Sequence, residues 1–290
     1  MLESVPNFSE GRDPRVVESI ANAIASTPGV TLLGHELDAD HNRSVITFAG
    51  EDQAVIEAAV RGVAKAAELI HLTSHTGVHP RVGAADVVPF IPLGNSTIAD
   101  AVAAAYQAGE EIWKRAGVPV YFYGEAARRD SRKRLEKVRR QGFDGAPPDV
   151  GNIPVHPTAG ASVVGARGFL LAYNFDLATP DVKIAAEIAR RIRESSGGFP
   201  YVKAIGLYLT SRGRAQVSMN LTDYTRIPLE ELYQRIAASA HELGTSVADG
   251  EVIGFVPEAA YRQNPAFFAR ASNFNESRIL EPQLARLLPH

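Results

Sequence analysis

Arg214-Ala215-Gln216-Val217-Ser218-Met219-Asn220-Leu221 decides the reading of the fold, because its polar and apolar residues alternate without a break. Strict alternation is the mark of a strand with one buried and one polar face. Ala215, Val217, Met219 and Leu221 point one way, and Arg214, Gln216, Ser218 and Asn220 the other. Just upstream, Ser211-Arg212-Gly213 reads as a turn and Ala204–Leu209 as its partner strand. Further upstream Phe169–Leu177 is strand-like. Thr179-Pro180 then opens a helix in the N-cap and N1 manner, with Val182, Ala185, Ala189 and Ile192 on one face and an end near Gly197-Gly198. Downstream, Pro228 opens a helix with Leu229, Leu232, Ile236, Ala240 and Leu243 at helical spacing, and Val252–Val256 closes as a strand. The order is β-α-β-β-α-β, the split βαβ or ferredoxin-like unit.

The first half repeats that order. Leu2–Phe8 reads as a strand, and Asp13-Pro14 caps a helix bearing Val16, Ile20 and Ile24. Strands follow at Thr31–Leu37 and Ser44–Ala49. A helix over Gln53–Ile70 carries Ile56, Val60, Val63, Ala67 and Ile70 on one face. Val87–Ile91 is the fourth strand, extended by a helix at Thr97–Ala116 and a strand at Val120–Tyr123. The expected fold class is therefore α+β. It comprises two ferredoxin-like units, residues 1–168 and 169–290, each an antiparallel sheet with helices on one face. The polar face of Arg214–Asn220 predicts a ligand cleft between the two sheets.

Composition narrows the function. At 290 residues with 45% apolar content, the chain has enough for two cores. A net charge of −3 argues against a general nucleic-acid binder. With no cysteine, disulfides, thiol catalysis and Cys-based zinc sites are excluded, which fits a cytoplasmic protein. No secretory leader and no membrane span is visible. Arg128–Arg140 holds eight Lys or Arg. Its simplest reading is a solvated helix; its functional reading is an electrostatic guide for a polyanionic ligand such as a polyglutamyl tail. Asp144–Pro157, rich in Pro, Gly, Asp and Asn, reads as a loop.

The candidate chemistry sits in His75-Thr76-Gly77-Val78-His79-Pro80-Arg81-Val82-Gly83-Ala84-Ala85-Asp86-Val87-Val88-Pro89-Phe90, between a helix and a buried strand. Titratable groups on a stiff loop between core elements suit acid–base work. His75 and His79 have a metal-like spacing. That spacing requires a helix, however, and Gly77 and Pro80 oppose one, so no metal is expected. A second polar cluster, Asp38-Ala39-Asp40-His41-Asn42-Arg43, lies between two strands and reads either as a hairpin turn or as part of the site.

The histidine loop resembles that of the glutamate formiminotransferase family. So do Val5-Pro6-Asn7-Phe8-Ser9-Glu10-Gly11, Val118-Pro119-Val120-Tyr121-Phe122-Tyr123-Gly124-Glu125-Ala126-Ala127 and Gly160-Ala161-Ser162-Val163-Val164-Gly165-Ala166-Arg167, in the family's order. Ala215–Leu221 resembles it more weakly. The resemblance implies transfer of a formimino group from N-formimino-L-glutamate to N5 of tetrahydrofolate, the cosubstrate, in histidine breakdown. It implies that His79 is the catalytic histidine, acting as the acid–base group with no metal. It also implies that the folate segment is Gly151-Asn152-Ile153-Pro154-Val155-His156-Pro157-Thr158-Ala159-Gly160. Glycines at its ends would let backbone approach a flat ring. The segment departs from the family at Ala159, where a large aromatic is usual, and Val78 stands where an acidic residue precedes the histidine.

Under that chemistry, Asp38 or Asp40 would orient the histidine or pair with the cationic amidine. Arg43 or Arg81 would hold a glutamate carboxylate; Asn7, Ser9 and Glu10 end the first strand toward the cleft, and Asn7 reads either as a turn residue or as a ligand contact. His75 reads as exposed. The family further implies a homodimer and, where no cyclodeaminase is fused, a separate cyclodeaminase. Two other readings stay open: transfer of a formyl group between folate and glutamate, and a folate-binding protein without catalysis.

Overall fold

The computed structural model describes residues 1–77, 81–141 and 145–287. The chain divides into two compact units, Met1–Gly168 and Phe169–His290.

In the second unit, β8 (Leu171–Leu177), β9 (Val202–Leu209), β10 (Arg214–Leu221) and β11 (Val247–Ile253) form an antiparallel sheet of order β11-β8-β10-β9. Helix α5 (Val182–Ile192) lies between β8 and β9 in sequence, and α6 (Leu229–Glu242) between β10 and β11. The alternation in β10 behaves as its sequence dictates. Ala215, Val217, Met219 and Leu221 enter the core with Ala185, Ile188, Ile192, Leu232 and Ile236. On the opposite face Gln216 donates to Asp176 and Glu251, and Arg212 pairs with the same two carboxylates.

Two local expectations shift. The N-cap of α5 is Asp181, which accepts from the Lys183 amide, rather than Thr179. The last strand begins five residues before the apolar run at Val252. Asp249 and Glu251 are placed in it by a bulge, and the Gly250 amide bonds to the Arg270 carbonyl. Beyond it, α7 (Glu258–Gln263), α8 (Pro265–Phe268) and α9 (Leu280–Leu287) follow, and Phe267 and Phe268 seal the core against Tyr173.

In the first unit the elements are β1 (Leu2–Ser4), β2 (Asn7–Phe8), α1 (Pro14–Ala25), β3 (Val30–Asp38), β4 (Arg43–Gly50), α2 (Asp52–Leu69), β5 (Ala85–Pro92), α3 (Ile98–Ala116), β6 (Val120–Gly124), α4 (Leu135–Gln141) and β7 (Ser162–Ala166). Strands β1 and β2 are two pieces of one lane, interrupted at Val5-Pro6, between β4 and β5. The sheet runs β3, β4, β1/β2, β5, β7, β6. Helix α1 starts as expected, with Asp13 capping and Pro14 in its first turn.

The α+β class holds, but this sheet is mixed rather than antiparallel. Strand β7 pairs in parallel with both β5 and β6. Its sequence, Ser162-Val163-Val164-Gly165-Ala166, is buried throughout. A parallel strand covered on both faces lacks the alternation that betrays other strands.

The basic stretch is solvated on one side, where Arg128, Arg129, Lys133, Arg134 and Lys137 are exposed, and covers the second face of this sheet with the other. Leu135 and Val138 pack with Val87, Tyr123 and Val163. Arg132 is buried, pairs with Asp149 at 2.8 Å, and lies 4.7 Å over the Tyr121 ring.

A close approach fixes α5 on β9. A side chain at Gly206 would place its Cβ 2.2 Å from the Ala186 nitrogen. We expect Gly206→Ala to destabilise the protein by about 1–3 kcal/mol, as overpacking does. Gly168→Ala, in open space, should stay within about 0.5 kcal/mol of wild type. Denaturant titration of the two variants checks this.

Candidate functional site

The site is built where three loops of the first unit meet. The first is the β3–β4 turn. Asp38 accepts from the His41 amide at 2.8 Å and faces the His41 ring, Nδ1 to Oδ2, at 3.3 Å. Asn42 takes a left-handed φ of 50°, a conformation Asn tolerates in turns. Its side chain then reaches two other loops: Oδ1 accepts from the Gly11 amide at 3.0 Å, and Nδ2 donates to the Thr76 carbonyl at 2.8 Å. The hairpin reading of Asp38–Arg43 describes its local structure. The turn is a turn, and it is bolted to the histidine loop.

The second loop is the histidine loop. His79 lies outside the described residues, together with Val78 and Pro80; its flanks are described. On the near side, a Cβ at Gly77 would sit 2.6 Å from the His41 carbonyl oxygen, so only glycine passes there. Arg81 donates from Nη2 to the Gly77 carbonyl at 2.6 Å and from Nη1 to His75 Nδ1. His75 is therefore half-buried and engaged, where exposure was expected.

The third loop is the segment Gly151–Gly160. His156 and Gly160 close a tight turn through reciprocal backbone bonds of 2.6 and 3.1 Å. Nδ1 of His156 accepts from the Thr158 and Ala159 amides. The turn docks on both ends of the histidine loop. The Leu72 amide donates to the Thr158 carbonyl, the Ala84 amide to that of Ala159, and the Ala161 amide to that of Val82.

The end glycines do not open the backbone to a ring. The Cβ position of Gly151 faces Trp113 at 3.0 Å, and that of Gly160 lies 2.3 Å from the Val82 carbonyl oxygen. Ala159 is buried, and so cannot stack on a ligand, whereas Asn152, Pro154, Val155 and Pro157 are exposed.

Beneath these loops lies the strongest electrostatic feature. Asp86, wholly buried, accepts from the Val82 amide at 2.6 Å and from Arg139 at 2.6 Å, and pairs with Arg43 at 3.0 Å. Arg43 also donates to Asn7 Oδ1 at 2.9 Å. Burial would raise the Asp86 carboxyl, but Arg139, Arg43 and the Val82 amide together outweigh it and hold the group below the usual carboxylate range. Burial pushes Arg43 down to about 10, with Asp86 offsetting part of the shift. Both groups therefore stay ionised at neutral pH.

Two family domains match the chain. The formiminotransferase domain's N-terminal subdomain matches residues 1–167, and the formiminotransferase domain matches residues 172–287. The chain belongs to the formiminotransferase family. It is 40% identical to the glutamate formimidoyltransferase of Streptococcus pyogenes serotype M1, over 98% of each chain. It is 39% identical to the enzyme of that name in Thermoplasma acidophilum, over 99% of this chain and 98% of that one. The formimidoyltransferase-cyclodeaminase of Gallus gallus is 39% identical over 93% of this chain, which spans 52% of that protein.

Within this formiminotransferase chain, the first unit brings together Asn7, Arg43, Arg81 and the flanks of the histidine loop. Arg43 is engaged with Asn7 and Asp86, and Asn7 with Arg43 and the Val5 carbonyl. Asp38 lies in the turn that Asn42 ties to the histidine loop. Asp86 and Arg139 were not singled out from sequence. Asp86 is the second residue of β5, and an acid inside so apolar a run was the available signal.

Asp86 also sets an acid limit. Its folded pKa lies below the ordinary 3.8. Its contribution to stability is therefore full above that value and lost as pH falls through the folded pKa. The stability gap between wild type and Asp86→Asn should be constant from pH 5 to 8 and shrink below about pH 4, as read by denaturant titration across that range.

Proposed function

We propose that this chain is a folate-dependent glutamate formimidoyltransferase. It moves the formimino group of N-formimino-L-glutamate to N5 of tetrahydrofolate, giving 5-formiminotetrahydrofolate and glutamate. The observation that carries this reading is the docking of the 156–161 turn on both flanks of the histidine loop. It joins the folate segment to the acid–base segment, in a chain whose relatives of that name match end to end.

In this reading the N5 amine attacks the amidine carbon, an N–C bond forms, and a tetrahedral intermediate follows. His79 takes the proton from N5 and returns one to the glutamate nitrogen as its C–N bond breaks. A group with a pKa near neutrality can do both. Arg43, Arg81 and Arg139 all act on the buried carboxylate of Asp86. A cluster of guanidiniums suits a dicarboxylate donor. Arg81, at the rim, is the anchor for a carboxylate; Asp38 and Asp40, in the adjoining turn, face the amidine.

Arg43 and Asn7 serve this site from beneath. The folate segment Gly151–Gly160 presents Asn152, Pro154, Val155 and Pro157 to the cosubstrate. The reading includes a cytoplasmic homodimer and a cyclodeaminase as the natural consumer of the product.

The decisive assay measures 5-formimino- or 5-formyltetrahydrofolate formation from each glutamate donor. Turnover with formiminoglutamate is expected. Turnover confined to formylglutamate would change the donor, and folate binding without turnover would leave a binding protein. We further expect His79→Ala to lower kcat by about a hundredfold or more with little change in tetrahydrofolate binding. His35→Ala, at an exposed position on β3, should be near wild type in both. Equal losses in the two variants, or a loss confined to binding, would assign the base elsewhere.

A further inference from the structure

We propose that Asp86 is a positioning residue for the transfer reaction, fixing the end of the histidine loop through the Val82 amide and the Arg43–Asn7 pair through its charge. This inference rests on the proposed formimino transfer.

Asp86 is fully buried, so its effect on the reaction must pass through other groups. One oxygen accepts from the Val82 amide, three residues beyond His79 in sequence. The other faces Arg139 of α4 and Arg43 of β4. Arg43 then holds Asn7, at the start of β2. One carboxylate thus locates three stretches of chain around the site.

An ionic cluster is a poor way merely to fill space. Well-packed apolar residues are often as stable as a buried ion pair, while removing one partner leaves an uncompensated charge. Here the charges are unequal, two guanidiniums to one carboxylate. Loss of Asp86 would leave Arg43 and Arg139 repelling each other beneath the loop. Their separation would move the Val82 end of the loop and the Asn7 end of β2 together. A displacement of about 1 Å at a reacting group costs about a hundredfold in rate.

The test uses the full chain and four variants: Asp86→Asn, Asp86→Ala, Arg139→Gln and Arg139→Lys. Steady-state kinetics with both substrates are paired with tetrahydrofolate titration and thermal unfolding. Asparagine can still accept from the Val82 amide but carries no charge, so Asp86→Asn should lower kcat by about tenfold and Asp86→Ala by about a hundredfold. The Kd for tetrahydrofolate should stay within about twofold, since the folate segment keeps its own bonds to Leu72 and Ala84. Arg139→Gln should lower kcat, and Arg139→Lys should restore most of it by returning the cation.

A purely structural role would lower the unfolding temperature without moving kcat per folded molecule, and that result overturns the inference. So does a fall in kcat matched by an equal loss of folate affinity. If neither Asp86 variant folds, the Arg139 pair decides, and equal kcat for Gln and Lys overturns it. A wild-type chain that turns over neither donor overturns the functional reading and this inference together. An active wild type with unaltered variants overturns the inference alone.

Discussion

A carboxylate shut away from water between two guanidiniums is the constraint on which the first unit's candidate site depends. Asp86 has no exposure, and its charge is tolerated because Arg139, Arg43 and the Val82 amide all face it. The bulge where β2 meets β5 makes this possible. Ala85 and Val88, three residues apart, both enter the main core, and Val87 joins the smaller cluster beneath α4. Asp86 falls to that second side as well, where α4 brings Arg139. The bulge re-aims a side chain beside a functional loop, a common use of such irregularities.

The segment around residues 128–140 gains its meaning from the same side of the sheet. Its apolar residues Leu135 and Val138 cover the strands, and buried Arg132 and half-buried Arg139 turn inward near its two ends. Arg139 meets Asp86 at the end of the histidine loop. Arg132 meets Asp149, whose other bond is to the Phe122 amide, just before the folate segment. One strap therefore anchors the base of each candidate loop with a separate ion pair. Arg128, Arg129, Lys133, Arg134 and Lys137 stay exposed, as a solvated stretch requires, while Arg132 and Arg139 turn inward to the two acids.

Much of the fold was legible because helices and half-buried strands announce their period. The β10 alternation, the Asp13-Pro14 start and the apolar stripes of the helices carry their structure in adjacent residues. What was hidden depends on distant partners. Strand β7 is buried on both faces and shows no alternation. Strand β11 takes in Asp249 and Glu251, whose polarity made the apolar run from Val252 look like the strand. The site divides the same way. The clusters at residues 38–43 and 75–81 stand out by residue type, and the folate segment by resemblance. Asp86 and Arg139 are ordinary residues in sequence, 53 positions apart, and only folding shows that they share a bond.

The glycines at the ends of the 151–160 segment sharpen the physical picture. Their residue type suggested backbone bared to a ligand, yet both are turned inward. Gly151 lies against Trp113 and Gly160 against Val82, where a Cβ would clash. Their function is to let the loop lie flat on the sheet and on the histidine loop. With its backbone committed inward, the segment presents side chains outward at Asn152, Pro154, Val155 and Pro157. Proline loses little entropy when a ligand settles on it, because its backbone is already fixed. A loop held by its neighbours' backbone and faced with prolines is therefore fixed before any ligand arrives, and Ala159, which is buried, takes no part in the face it presents.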